Sequence, residues 1–188
     1  MPPLIKSMRI IAGAYKGRNL KSPPSLDVRP TSDRLRETLF NVIAPRIEGT
    51  RFLDLCAGSG AVGIEALSRG ASHVTFVDRS RRMCKLIEAN VELCRIPEEQ
   101  WDIYCSEANE FLRQSKNERW DIVYFDPPYK EDYLKTLRLL GNNDLVIAEH
   151  HHKTELPDSI GELRRTRILK QGDSALSFFV TQMNADNR

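Results

Sequence analysis

FLDLCAGSGAVGIEALSRG, residues 52–70, is the stretch that decides the fold of this chain. It begins with an apolar run of strand type, passes through a glycine-rich turn, and continues with apolar residues that suit a mostly buried helix. Gly70 lies where a helix C-terminal glycine is expected, because glycine adopts the left-handed conformation without a steric penalty. The stretch therefore predicts a strand, a tight turn and a helix.

Two kinds of ligand suit this turn. Gly58, Gly60 and Gly63 satisfy G-x-G-x-x-G, where a dinucleotide would place its pyrophosphate at the helix N-terminus. S-adenosylmethionine has no phosphate, and Asp54 just before the turn suits its ammonium and sulfonium charges but would repel a pyrophosphate. Asp78, after the next apolar run, fits a ribose diol of either ligand. A ligand-free turn is the third alternative, so the rest of the chain has to decide.

Strand-like and helix-like segments alternate along the chain. The pattern predicts further strands over residues 73–77, 101–105, 120–125 and 144–150, and helices over residues 33–44, 80–94, 108–115 and 133–140. Residues 165–169 and 175–181 read as a closing antiparallel hairpin. Such alternation predicts an α/β, Rossmann-like fold with a mostly parallel sheet and right-handed crossovers.

Four carboxylates fall at the carboxyl ends of the predicted strands, namely Asp54, Asp78, Glu107 and Asp126. Ligands of such sheets bind beyond these ends. Four carboxylates on one rim are hard to explain as solvated surface, so we expect a binding site there.

Composition excludes several classes of protein. With 188 residues, of which 40% are hydrophobic and 29% charged, the chain has the size of one globular domain. No apolar run approaches the ~20 residues that span a bilayer, and residues 1–8 lack the apolar core of a secretory signal. We therefore expect a cytoplasmic protein. His150, His151 and His152 are adjacent and should not converge on one ion, so we expect exposed surface there and no metal.

Positive charge is concentrated near the N-terminus. Residues 1–51 hold ten Lys and Arg against four Asp and Glu, and the remainder holds eighteen against twenty-two. This predicts a basic arm with a β-hairpin, residues 1–30, that meets a polyanion, beside a ligand-binding domain, residues 31–188. An ordinary solvated surface is the alternative. The candidate phosphate contacts are Arg9, Lys16, Arg18, Lys21, Arg29, Arg34 and Arg36, although Arg29 and Arg36 flank the entrance to the first helix and could organise the site instead.

Asp126-Pro127-Pro128-Tyr129, at the end of the fourth predicted strand of the domain, is the segment that indicates the chemistry. The lone pair of an aromatic amine is delocalised into its ring, so the nitrogen is a poor nucleophile until hydrogen-bond acceptors draw it toward tetrahedral geometry. The Asp126 carboxylate and the Pro127 carbonyl can each accept one N–H and aim the lone pair at a methyl donor. Pro127 restricts Asp126 to extended geometry, and Tyr129 can stack on a flat base. A proline-rich strand end with an exposed aromatic side chain is the structural alternative.

Together with RIIAG at residues 9–13, RPT at 29–31, RETLFN at 36–41 and GDSALSFF at 172–179, these segments resemble the bacterial enzymes that methylate N2 of one guanine in 16S rRNA. The resemblance covers nearly all of residues 8–181. It implies a class I methyltransferase fold with a seven-stranded sheet whose last strand is antiparallel. It further implies S-adenosylmethionine as the donor, the 30S subunit or its assembly precursor as the substrate, and an N-terminal arm that faces the RNA.

The resemblance also assigns roles to single residues. Asp54, Gly58 and Gly60, with Ala57 and Ser59 between them, would hold the methionine end of the donor. Asp78 would bind its ribose, and Glu107 and Ala108 would lie on the adenine side, where Glu107 departs from the expected aspartate or asparagine. The segment from Asp126 to Tyr129 would lie between donor and target amine, with Asp126, Pro127 and Tyr129 catalytic.

Two other functions remain open. An adenine-N6 methyltransferase of DNA or RNA would use the same Asp-Pro-Pro-Tyr, because that motif accepts any planar amine, although the chain lacks a sizeable DNA-recognition insert. A non-catalytic RNA-binding assembly factor is the second, and the intact Asp54 and Asp126 argue against it. We expect a monomer.

Overall fold

The elements of the fold alternate as the sequence predicts. The computed structural model describes residues 8–23, 32–128 and 132–181. In these ranges the strands are β1 Met8–Arg9, β2 Asn19–Leu20, β3 Arg51–Leu55, β4 His73–Asp78, β5 Trp101–Cys105, β6 Ile122–Phe125, β7 Leu145–His151, β8 Ser159–Ile160, β9 Leu163–Gln171 and β10 Ser174–Thr181. The α-helices are α1 Asp33–Ile43, α2 Ala61–Ser68, α3 Arg81–Leu93, α4 Ala108–Gln114 and α5 Tyr133–Arg138. No helix in these ranges has the length and apolar character needed to cross a membrane.

The main sheet confirms the predicted α/β fold. Within the described residues its order is β5-β4-β3-β6-β7-β10-β9-β8, in which the first five strands run parallel and β10 runs antiparallel to both of its neighbours. Strand β8 is an eighth strand that we did not predict, because two residues carry no alternating pattern. Strand β9 is longer than expected, since its exposed arginines conceal the start of the strand.

Both faces of the sheet are covered. On one face Phe52 and Phe76 belong to a core shared with α1, α2 and α3, and on the other Leu53 and Leu55 belong to a core shared with α4 and α5. A strand that is buried on both faces has to be apolar almost throughout. This explains why β3 and β6 are continuous apolar runs apart from Asp54 and the exposed Arg51 at the start of β3.

The N-terminal hairpin of β1 and β2 is attached to the body of the fold. Met8, Ile10 and Leu20 are buried in the core on the side of α1, α2 and α3. The Glu65 carboxylate on α2 accepts hydrogen bonds from the backbone N–H groups of Ile11 and Ala12, at 2.8 and 3.0 Å. Residues 8–23 therefore form part of the wall of the site described below.

Candidate active site

A pocket of about 590 Å³ opens at the carboxyl ends of the parallel strands, where the sequence predicts it. One end is lined by residues of the glycine turn together with Asp78, Glu107 and Ala108. The other end is lined by Asp126 and Pro127, and the N-terminal hairpin adds Met8 to the wall. The fold thus brings most of the predicted donor-binding residues, though not Asp54 and Gly60, and the Asp-Pro-Pro segment into one cavity.

The glycine turn is held in place by Asp78. Its Oδ2 accepts a hydrogen bond from Gly58 N at 2.9 Å, and its Oδ1 accepts one from Ser80 N at 2.8 Å. Cys56, which lies between β3 and the turn, has a φ of +69°. A non-glycine residue in this left-handed region carries backbone strain of a kind found at ligand sites. Asp78 therefore sets the shape of the turn and lines the pocket at the same time.

Asp54 does not lie where the resemblance implies. It is 1% exposed, and among the described residues it is absent from the pocket lining. Its Oδ2 accepts a hydrogen bond from Gly63 N at 2.8 Å, so the carboxyl group closes the first turn of α2 from below. Gly63 in turn has no space for a side chain, since an added Cβ would lie 2.3 Å from Phe76 Cε1. Asp54 and Gly63 thus pack α2 on the sheet.

The protonation of Asp54 gives a testable pH dependence. Burial, with a smaller contribution from Asp78, raises the pKa of Asp54 to about 8, although the bond from Gly63 opposes this. The unfolded chain ionises near pH ~3.9, so stability should be full below that pH and fall as the pH rises toward 8. Asp54→Asn cannot ionise and keeps an oxygen for Gly63.

Urea unfolding at several pH values between 4 and 8.5 measures this effect. We expect the wild-type protein to lose stability relative to Asp54→Asn by ~1.4 kcal/mol for each pH unit that separates the two pKa values. Glu88→Gln, at an exposed position of α3, is the control. Parallel pH profiles for wild-type protein and Asp54→Asn would refute the assignment.

Glu107 and Ala108 lie at the start of α4, on the side of the pocket that the resemblance assigns to adenine. The Glu107 carboxylate is 60% exposed and lies 3.9 Å from Nη1 of Arg79, another residue of the lining. Gly60, in contrast, turns away from the cavity and packs against Ile87 and Phe76. A glycine is favoured at this position because the backbone has a φ of +77°, in the left-handed region.

The Asp-Pro-Pro segment continues directly from β6. Asp126 N donates to the carbonyl of Leu55 on the neighbouring strand at 3.3 Å, which fixes where the segment leaves the sheet. Pro127 is buried, and Asp126, Pro127 and Pro128 all line the pocket. Tyr129 lies outside the described residues, so its stacking role stays a prediction.

The position of Arg36 contradicts one predicted RNA contact. Its side chain is fully buried, and its Nη2 donates to the carbonyl of Arg9 at 2.5 Å and pairs with Asp33 at 3.0 Å. Its Nε lies 3.9 Å from the Glu65 carboxylate. A guanidinium in this position cannot reach phosphate. Its bonds to Arg9 and Asp33 support the alternative, in which Arg36 organises the residues around the site.

The other basic candidates differ in their surroundings. Arg18 is exposed but donates to the carbonyl of Cys94, and its guanidinium lies 4.9 Å from the centre of the Tyr15 ring. Arg29 lies outside the described residues. The remaining side chains are exposed and belong to the hairpin, its flank or the start of α1, namely Arg9, Lys16, Lys21 and Arg34.

The three histidines are not the exposed run that we expected. His150 is fully buried, and its Nε2 lies 2.8 Å from Ser177 Oγ, because β7 is an inner strand that pairs with β6 and β10. His151 and His152 are half-buried and stack with ring centres 4.5 Å apart. With Asp173 they offer three potential metal-ligating atoms within 4.8 Å of one another. Adjacency alone did not predict this convergence, since the β9–β10 turn supplies Asp173.

Sequence reasoning missed three residues that line the pocket beside Asp126. These are Glu149 at the end of β7, Gln171 at the end of β9 and Ser174 at the start of β10. A signal was present, because Glu149 is the acidic residue that interrupts the apolar run of β7 near its carboxyl end. The hairpin residues could not be placed without knowing that β10 pairs with β7.

Comparison with known proteins identifies the family of the chain. The family model described as "Conserved hypothetical protein 95" matches residues 8–180. The chain is 38% identical over 181 residues to "Putative rRNA methyltransferase YlbH" of Bacillus subtilis, covering 92% of this chain and 98% of that protein. It is 41% identical over 143 residues to "Ribosomal RNA small subunit methyltransferase D" of Escherichia coli, covering 76% of this chain and 71% of that protein.

A solved structure gives the same answer for the fold. "Putative methyltransferase yhhF" of Escherichia coli superposes with a TM-score of 0.81 and 33% identity, covering 93% of this chain and 98% of that chain. The chain therefore belongs to the Conserved hypothetical protein 95 family, that of the small-subunit ribosomal RNA methyltransferase D proteins, and has their class I methyltransferase fold.

Proposed function

We propose that this protein transfers a methyl group from S-adenosylmethionine to the exocyclic N2 amine of a guanine in 16S rRNA. The substrate would be the 30S subunit or its assembly intermediate in the cytoplasm. The observation that carries the proposal is the shared pocket, in which Asp126 and Pro127 lie beside the glycine turn and Asp78. The small-subunit methyltransferase names of the relatives support the choice of RNA.

The residues of the pocket fit S-adenosylmethionine better than a dinucleotide. Four carboxylates line the pocket against two guanidinium groups, those of Arg79 and Arg82, so the net charge of the lining suits a cationic ligand better than a pyrophosphate. Asp78 would bind the ribose diol, the turn at residues 57–59 the methionine end, and Glu107 with Ala108 the adenine side. When bound, S-adenosylmethionine supplies an electrophilic methyl group.

Asp126 and Pro127 would prepare the nucleophile. Each accepts one N–H of the target amine, so the nitrogen lone pair turns out of the plane of the base and toward the donor. The buried Pro127 and the bond from Asp126 N to Leu55 hold both acceptors still before the substrate arrives. Acceptors that are positioned in advance stabilise a developing positive charge without reorganisation.

Labelled S-adenosylmethionine offered with 30S particles, naked 16S rRNA and DNA tests this proposal. We expect label in the particle or its rRNA, and N2-methylguanine when the modified base is mapped by mass spectrometry. N6-methyladenine or labelled DNA would favour the alternative methyltransferase. Binding of the donor without any transfer would favour the assembly factor.

The exposed basic side chains give a prediction for RNA binding. If Arg9, Lys16, Lys21 and Arg34 each contact phosphate, affinity for the particle should fall with log salt at a slope near −3 to −4, at ~0.7 to ~0.9 per contact. Replacing all four by alanine should flatten the slope by about three. The measurement is a filter-binding titration at several salt concentrations.

Two controls define the result. Donor affinity should be unchanged, because none of the four lines the donor end of the pocket. An alanine variant of exposed basic residues on β9, Arg164 and Arg167, should keep the wild-type slope. An unchanged slope in the fourfold variant would place the RNA elsewhere.

A further inference from the structure

Glu149 occupies a position beside the reacting group that the sequence did not reveal. In the parallel pairing of β6 with β7, Phe125 lies opposite Ala148, so the next residues, Asp126 and Glu149, leave the two strands side by side. Neighbouring strands are ~4.8 Å apart. Glu149 lines the pocket at the same end as Asp126 and Pro127.

The Glu149 carboxylate is oriented by two hydroxyl groups. The Tyr124 hydroxyl donates to Oε2, and Ser174 Oγ donates to Oε1 at 3.1 Å. Glu149 is 5% exposed, Tyr124 1% and Ser174 6%. The two bonds fix the orientation of the carboxylate at the wall of the pocket. A carboxylate has about four acceptor sites and can therefore bind a ligand while both hydroxyls remain bonded to it.

Gln171 provides a second observation at this end of the pocket. Its Oε1 is buried and has no hydrogen-bond partner among the described residues, although the side chain lines the cavity. Acceptor oxygens of Asp126, the Pro127 carbonyl, Glu149 and Gln171 thus line this end of the pocket. A ligand with several N–H donors on one edge complements such a lining.

We propose that Glu149 selects guanine by accepting the N1–H of the base whose N2 amine is held by Asp126 and Pro127. The inference rests on the proposed function and deepens it. Guanine presents N1–H next to its N2 amine, and a carboxylate suits such a donor edge. Adenine presents the N1 lone pair at the corresponding place, which would face a carboxylate oxygen and be repelled.

This role has a consequence for the substrate. The N1–H of a paired guanine is bonded to cytosine, so Glu149 can reach it only when the guanine is unpaired and turned out of its helix. Enzymes that modify a base inside a helix meet the same requirement. The pocket should therefore accept a guanine from a loop or a flipped guanine.

Glu149→Gln tests the inference on the 30S substrate. The variant keeps the size of the side chain and loses the charged acceptor. We expect kcat/KM for methyl transfer to fall ~10- to 100-fold, as for loss of a hydrogen bond to a charged group, with the Kd for S-adenosylmethionine unchanged. Ser174→Ala leaves the carboxylate in place, so it should lower kcat/KM less than Glu149→Gln does. Thermal unfolding of both variants checks that they fold.

A base analogue distinguishes a role of Glu149 in base recognition from a purely structural role. 2-Aminopurine has the same amine but carries a lone pair at N1, where guanine has a proton. The mapped guanine is replaced by 2-aminopurine in reconstituted particles, and the wild-type enzyme should strongly prefer the guanine substrate. The amide of Glu149→Gln can donate to N1 of 2-aminopurine. In this variant the ratio of the two rates, guanine over 2-aminopurine, should therefore be at least 10-fold smaller. A structural role would lower both rates equally, and this result would overturn the inference.

The two proposals fail in different ways. If wild-type enzyme makes N2-methylguanine but Glu149→Gln keeps its rate and its preference, the proposed function stands and the role of Glu149 is wrong. If wild-type enzyme methylates adenine, both are wrong.

Discussion

Replacing Asp126 by alanine should lower the rate of methyl transfer ~10²- to 10³-fold, as expected when a preorganised polar partner of a transition state is removed. Alanine removes one of the two acceptors that turn the lone pair of the amine toward the donor. Donor binding should persist, because Asp78 and the glycine turn hold their geometry through bonds that do not involve Asp126. The expected signature is a change in kcat with little change in donor affinity.

Single-turnover transfer of label to 30S particles measures the rate, and calorimetry with S-adenosylmethionine measures binding. Asp126→Asn keeps one neutral acceptor, so its rate of methyl transfer should lie between those of the wild-type protein and Asp126→Ala. Asp102→Ala, at an exposed position of β5, should leave both quantities unchanged. Wild-type turnover by Asp126→Ala would show that the amine is oriented by other groups.

Glu65→Ala should be the most destabilising of these single substitutions. The carboxylate is fully buried and binds the N–H groups of Ile11 and Ala12, with Arg69 Nε at 2.7 Å and Arg36 Nε at 3.9 Å. Removing it leaves two guanidinium groups, one of them fully buried, without their shared anion. Loss of one partner of a buried ion pair costs ~3–5 kcal/mol.

Urea unfolding of Glu65→Ala measures the loss, and Glu88→Ala, at an exposed position of α3, is the matched control. Because Glu65 also anchors residues 11 and 12, we expect the variant to bind 30S particles more weakly even where it is folded. A loss of stability below ~1 kcal/mol would place this pair in the range of exposed ion pairs and contradict the anchoring role.

The sequence alone determined the strand–turn–helix unit and the order of the elements. These features depend on local chemistry: glycines where φ is positive, serines that cap α1 and α3, and apolar runs where strands are buried on both faces. The position of Asp126 at a strand end was also readable, because two prolines mark the end of β6. Residues next to each other in the chain carry this information.

Tertiary structure decided the roles of individual charged side chains. Asp54 and Arg36 were predicted to meet ligands and are buried instead, one bonded to Gly63 N and the other to the carbonyl of Arg9. Glu149 joined the site because β7 lies between β6 and β10, which brings Tyr124 and Ser174 to its two oxygens. Partners 25 residues apart in sequence leave no local pattern. The sequence does not tell whether a carboxylate or guanidinium faces water, a ligand or a backbone group. Only the packing of the sheet and helices determines its surroundings.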